Sequence, residues 1–201
     1  MHRFMKQQFS GDIESIASIE NLLEAWREFL RGKRGKHDIQ EFSLHLMDEI
    51  FSLRADILGR AYRHGGYHAF NISDPKPRNI HKASVRDRLL HHAASRILYP
   101  FFEQTFIADS FSCRIGKGTH RALNRFRLFA RKSSKNNTRT CWILKCDIKK
   151  FFANIDHDIL LRMLQGCIPN QDIILLLGSI ISSFSPQRIG VGLPLGNLTS
   201  Q

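Results

Sequence analysis

A short apolar, β-prone run, Cys141-Trp-Ile-Leu-Lys-Cys, ends in Asp147 and is followed by Ile148, Lys149, Lys150 and the aromatic pair Phe151-Phe152. A strand that carries one carboxylate to its exposed end can present it to Mg²⁺, whose charge activates a hydroxyl for attack on a phosphate. The same letters also describe a buried strand whose terminal aspartate caps a helix, and the segment alone does not separate the two. Asp156 and Asp158 stand where the next helix should open, which suits capping.

The bulk properties narrow the partner. Thirty Lys and Arg against eighteen Asp and Glu give a formal charge of +12 over 201 residues, and 42% of the residues are hydrophobic. That is ample for a packed core, and the charge favours a polyanion, because each neutralised phosphate releases condensed counterions. Cys113, Cys141, Cys146 and Cys167 form no CxxC pair, so reduced thiols are expected. His91, His92, His120 and His157 lie on apolar helix positions or at a helix start, and no metal role is expected for them. The opening Met1-His-Arg-Phe-Met-Lys has no apolar signal core and no run is long enough to span a bilayer, so a soluble, cytoplasmic protein is expected, with no membrane partner.

The elements that would position these residues follow from periodicity. Helices are expected over Ile13–Leu30 and about Ile39–Arg63, separated by the basic, glycine-broken stretch Arg31-Gly-Lys-Arg-Gly-Lys-His37. That stretch reads equally as a solvated linker or as a phosphate-contacting loop. Tyr67–Ile72 and Arg78–Ser84 read as a hairpin around the turn Asp74-Pro-Lys-Pro77. A long helix from Val85 to Phe106 should bend or stop early at Pro100. After it come an extended piece over Ser110–Gly118, a helix over Thr119–Arg131, the Asp147 strand, a helix opening near Asp156, and another over Asn170–Ser183. Helices with a few short strands define an α+β class.

Four blocks in order now resemble the N-terminal half of a reverse transcriptase of the prokaryotic, group II intron-like kind. They are Pro77-Arg-Asn-Ile-His-Lys-Ala-Ser-Val-Arg-Asp-Arg-Leu-Leu-His-His-Ala93 with Tyr99–Phe106, Asp109–Ala122, the Asp147 block, and the glycine loop Gly192-Leu-Pro-Leu-Gly-Asn-Leu-Thr-Ser-Gln201. Relatives from group II introns and retrons usually have Gln after the proline of that loop and Ser-Pro at its end. Leu195 and Ser200-Gln201 stand there instead, which looks like the enzymes of diversity-generating retroelements. Those enzymes copy a template RNA with errors at adenines.

The resemblance implies right-hand polymerase fingers plus a partial palm, divided into an N-terminal helical extension (1–65), fingers (66–140) and partial palm (141–201). It implies Mg²⁺ held by Asp147 and the carbonyl of Ile148. Nucleotide or template contacts fall by resemblance on Lys150, Phe151, Phe152, Arg78, Lys82, Arg114, Leu195, Gly196 and Gln201. Phe152, five residues after the aspartate, matches the family's sugar gate, with core packing as the alternative among fifteen phenylalanines. Gly192 and Gly196 are expected to let backbone approach a template base. Implied partners are template RNA, a primer, deoxynucleotides and a small basic accessory protein. The family's second aspartate pair, in a Tyr-x-Asp-Asp hairpin, does not occur before Gln201. The chain is therefore expected to be a fragment that does not polymerise DNA by itself. A non-catalytic RNA-binding protein on the same fold, maturase-like or acting in phage defence, is the alternative.

Overall fold

The computed structural model describes residues 7–73, 77–184 and 188–198. Asp74 to Lys76, in the expected hairpin turn, and Gln201, a candidate contact, lie outside them. The chain forms two compact units, one of Met1–Phe101 with Lys150–Gln201, the other of Phe102–Lys149.

In the first unit, helix α1 (Ile13–Ala17) is capped by Asp12, whose Oδ1 accepts from Ser15 N at 2.8 Å. Ser18 then takes an extended ψ of 143° and caps α2 (Ile19–Phe29), so the single helix expected here is two. A serine that can cap its successor competes with helix continuation, and here it wins. Helices α3 (His37–Leu44) and α4 (Leu46–Leu58) likewise replace one expected helix; His45 leaves the helical region between them, although the apolar spacing of Phe42, Leu46 and Ile50 runs straight across.

Strands β1 (Tyr67–Ser73) and β2 (Pro77–Ala83) pair antiparallel, Tyr67 opposite Ala83 and Ser73 opposite Pro77. Helix α5 (Val85–Glu103) continues past Pro100 to its end. A proline this close to the C-terminal end removes one hydrogen bond and leaves the next turn intact. Ile16, Leu22, Phe29, Ile50, Leu53, Leu89 and Leu90 form the core under the N-terminal helices. Buried Asn21 ties α2 to α5, its Nδ2 donating to Ala93 O at 3.1 Å. The base of the hairpin is fixed by Asp87, 2% exposed, which accepts from Tyr62 Oη at 2.8 Å, Ser84 Oγ at 2.6 Å and Gly65 N at 3.1 Å. Helices α7 (His157–Gln165) and α8 (Gln171–Ser182) complete this unit, capped by Asp156 and Asn170. Phe9 N donates to Cys167 O at 2.9 Å and ties the start of the described chain to the turn between them.

The second unit holds the last residues of α5, a set of tight turns where an extended piece was expected over Ser110–Gly118, helix α6 (Thr119–Ser133) and the segment 141–148. That segment carries no regular secondary structure and belongs to no sheet: among the described residues the one sheet is β1–β2. The strand expected at Asp147 is therefore unpaired. A β-prone sequence becomes a strand only when a neighbour accepts its N–H and C=O groups. Trp142 is 95% exposed and Leu144 88%. The mixture of helices with a small antiparallel sheet is the α+β class expected. Among the described residues no helix is long and apolar enough to cross a membrane.

Candidate nucleotide-binding cradle

Three segments distant in sequence meet in the first unit. The first is the turn after the Asp147 segment. Lys150 adopts a φ of 53°, which costs a residue with a Cβ about 1–2 kcal/mol. The turn holds it there: Asn154 Nδ2 donates to Lys150 O at 3.0 Å and Asn154 N to Phe151 O at 3.1 Å. A 3-10 turn over Phe152–Asn154 follows. The rings of Phe151 and Phe152 meet edge to face with centroids 5.2 Å apart, Phe151 exposed and Phe152 half-buried.

The glycine loop is the second segment, and it is stitched to this turn through backbone. Leu193 N donates to Phe152 O at 2.9 Å, Gly192 N to Ile155 O at 2.8 Å, and His157 N to Gly190 O at 2.9 Å. His157 is 3% exposed, and its Nε2 lies 2.7 Å from Gly192 O. A carbonyl can only accept, so that nitrogen carries the hydrogen.

Strand β2 is the third. His81 N donates to Leu195 O at 3.2 Å, and buried Asn197 accepts from Ala83 N at 3.3 Å while its Nδ2 donates to His81 O. The loop thus runs along the free edge of β2 as a makeshift third ribbon. Gly196 sits at a φ of 93°, and a Cβ there would stand 2.7 Å from Ile80 Cγ2. Gly196 is expected by resemblance to make room for a template base; in the structure Ile80 is the nearest group that a Cβ there would meet.

Of the expected site residues, Lys150, Phe151, Phe152, Leu195, Gly196, Arg78 and Lys82 belong to this unit. Arg78 is exposed, and alternation along β2 puts it on the same face as Ile80 and Lys82. Lys82 Nζ lies 2.6 Å from Asp38 Oδ2, which also accepts from Arg88 at 2.8 Å. Burial opposes ionisation of Asp38, and hydrogen bonds from the two cations outweigh it, so its carboxyl lies below the usual range. Leu195 is 36% exposed and contributes its backbone to the loop's seat, leaving the side chain outside the hydrogen bonding.

Asp147, Ile148 and Arg114 belong to the second unit. Asp147 and Ile148 are exposed on the unpaired segment. The Arg114 side chain is 8% exposed; it contacts both Glu103 oxygens, 2.6 Å at the nearer, and donates to the carbonyls of Ile107 at 2.9 Å and Ser110 at 3.0 Å. Its guanidinium organises its own turn. Among the described residues no group of three or more His, Cys, Asp or Glu comes together to hold a metal ion. Mg²⁺ takes about six oxygens, so Asp147 and the Ile148 carbonyl do not make such a site on their own.

Two structural anchors of the cradle escape a reading of the sequence, His157 and Asn197. Each makes a buried hydrogen bond to distant backbone. The one available signal was position: a histidine directly after a candidate capping aspartate, and an asparagine directly after a loop glycine.

The family model for reverse transcriptase (RNA-dependent DNA polymerase) matches residues 73–200, which contain all three cradle segments. The chain belongs to that family. This reverse transcriptase chain is 27% identical over 104 residues to nuclear intron maturase 1, mitochondrial, of Arabidopsis thaliana, covering 52% of this chain and 14% of that protein. It is 25% identical over 121 residues to protein YkfC of Escherichia coli (strain K12), covering 60% of this chain and 30% of that one. Its fold is similar to a chain of a partial Cas6-RT-Cas1–Cas2 complex, with a TM-score of 0.61 at 18% identity, over 94% of this chain and 32% of the other. The reverse transcriptase chain thus spans less than a third of the length of each.

Proposed function

We propose that this chain is the fingers and part of the palm of an RNA-directed DNA polymerase, which in its complete form adds deoxynucleotides to a primer 3′-hydroxyl on an RNA template. The observation that supports this best is the stitching of the glycine loop to both the Phe151–Phe152 turn and strand β2, the segments on which the resemblance puts nucleotide contacts. In this reading the turn at Lys150 and Phe151 offers backbone N–H groups and lysine charge to a triphosphate. The Phe152 ring excludes a ribose 2′-hydroxyl, the group that separates RNA from DNA precursors. Arg78 and Lys82 guide phosphates, while Leu195 and Gly196 lie beside nucleotide and template; the resemblance assigns Gln201 the same role. Arg114 acts by holding its turn, because its donors are engaged there.

Asp147 and the Ile148 carbonyl are this chain's contribution to binding Mg²⁺, whose remaining ligands the described residues do not supply. The working division is extension (1–65), fingers (66–140) and palm (141–201). The finer assignment, a diversity-generating retroelement enzyme with a small basic accessory protein, rests on Leu195 and Ser200-Gln201. Primer extension on an RNA template by the complete protein tests the reading. Asp147→Asn abolishes extension; normal extension by that variant removes the aspartate from the mechanism.

A second reading, RNA binding without catalysis, is favoured by the likeness to an intron maturase and by the charge of +12. It predicts tight RNA binding by a complete protein that extends no primer.

A further inference from the structure

Five rings form a row of contacts from the core side of α5 to the strand that seats the glycine loop. His91 and His64 stack with centroids 5.3 Å apart, and His64 stacks on Tyr67 at 4.9 Å. Tyr67 meets Phe184, just past the end of α8, edge to face at 5.3 Å, and Phe184 meets His81 in the same manner at 4.7 Å. Stacked and edge-to-face pairs at these separations are the arrangements that aromatic rings prefer. Tyr67 lies opposite Ala83, two residues beyond His81, so the pleat puts Tyr67 and His81 on one face of the hairpin. That face grips Phe184, which is 7% exposed.

A hydrogen bond locks the middle of the row. Ser183 Oγ lies 2.6 Å from Ile180 O, and a carbonyl can only accept, so the serine proton goes there. Tyr67 Oη, 2.7 Å from Ser183 Oγ, is therefore the donor in that pair. Burial raises the pKa of the Tyr67 phenol, so the hydroxyl keeps the proton that the bond needs. The last ring belongs to the residue that carries the loop. His81 N donates to Leu195 O at 3.2 Å, and His81 O accepts from Asn197 Nδ2. Both backbone groups of His81 are thus spent on the glycine loop while its ring is spent on Phe184.

We propose that Tyr67 is a positioning residue for the glycine loop: anchored on Ser183 and Phe184, it sets where β2 presents His81 to Leu195 and Asn197. It acts through the strand, and its hydroxyl is the part that matters, since a phenylalanine ring would fill the row as well. The consequence for nucleotide binding rests on the proposed function, which puts Leu195 and Gly196 beside the nucleotide. A loop whose seat shifts holds its ligand out of register, and small displacements of that kind are costly.

The experiment is Tyr67→Phe, which removes one oxygen and keeps the ring. In the full chain, hydrogen exchange at the His81 amide quickens by about 2- to 12-fold, the worth of one hydrogen bond. The Leu22 amide, bonded to Ser18 O in the N-terminal core, stays within about twofold of the parent. Ser183→Ala gives the same pattern, and the double variant quickens the His81 amide no more than the larger single, because both act through one bond. In the complete enzyme Tyr67→Phe raises the deoxynucleotide KM about threefold or more with kcat within about twofold, since the seat moves and no group at the reacting atoms changes. Equal quickening at His81 and Leu22 makes Tyr67 a contributor to global stability alone and overturns the proposal. So does a local exchange effect with an unchanged deoxynucleotide KM. Exchange needs no turnover, so failure of the polymerase reading registers separately: the parent enzyme then extends no primer, while the exchange pattern still decides whether Tyr67 sets the seat of the loop.

Discussion

Replacing Gly196 by alanine tests the seat of the glycine loop on strand β2. The new methyl would stand 2.7 Å from Ile80 Cγ2. Carbon atoms rest at about 3.5–4.0 Å, so the two must part by about 1 Å. Overpacking of this kind costs about 1–3 kcal/mol. The φ of 93° adds about 1–2 kcal/mol for a residue with a Cβ. Together the loop should loosen from β2 by about 2–5 kcal/mol. The reporters are the amides of His81 and Ala83, bonded to Leu195 O and Asn197 Oδ1. Hydrogen exchange at those two amides should quicken by about 30- to 4000-fold, tenfold for each 1.4 kcal/mol, provided the loop is what protects them. Ile80→Ala in the same chain removes the clash but not the backbone strain, so a double-mutant cycle should return a coupling of about 1 kcal/mol or more. Exchange in Gly196→Ala within twofold of the parent, or a cycle with no coupling, refutes the argument that Ile80 dictates glycine here.

Three further outcomes follow from the same geometry. His157→Ala leaves the Gly192 carbonyl without its buried donor and destabilises by about 1–3 kcal/mol in urea titration, whereas a variant at exposed Asp158 does not. His91 is 3% exposed, neither ring nitrogen has a hydrogen-bond partner among the described residues, and burial pushes its pKa down to about 3. Its unfolded value is near 6.5, so the unfolded state takes up the proton first; stability is full above about pH 6.5 and falls by up to about 1.4 kcal/mol per unit down to about pH 3. His91→Phe should flatten that acid limb in pH-dependent melts, and an unchanged limb assigns it to other groups. Leu195→Gln should leave the melt unaltered, because the residue contributes backbone to the loop's seat, while lowering the error frequency in sequenced products of the complete enzyme.

Much of the helical framework was legible because apolar spacing reports which face is buried. The hairpin, α6, α7 and α8 stand close to where period and caps put them. The breaks at Ser18 and His45 were not legible, since the apolar stripe runs through both and only the local competition for hydrogen bonds decides. Asp147 exposes the opposite limit. Its run has strand composition, yet composition cannot supply a partner edge, and none pairs with it among the described residues. At the site, the glycines announced a special backbone, but not that Ile80 was the reason. Arg114 and Arg78 read alike as basic residues of the fingers; only tertiary contacts separate a buried staple from an exposed cation.

The open segment around Trp142 also governs how this polypeptide behaves in a tube. From Trp142 to Leu144 it is an adhesive ribbon, its lateral hydrogen-bonding groups unclaimed by any sheet and its bulky greasy side chains facing water, with Lys145 as the nearest charge to discourage a visitor. Ribbons of that type zip onto one another. These residues taken alone should therefore associate as concentration rises, and shielding that stretch should improve their solubility.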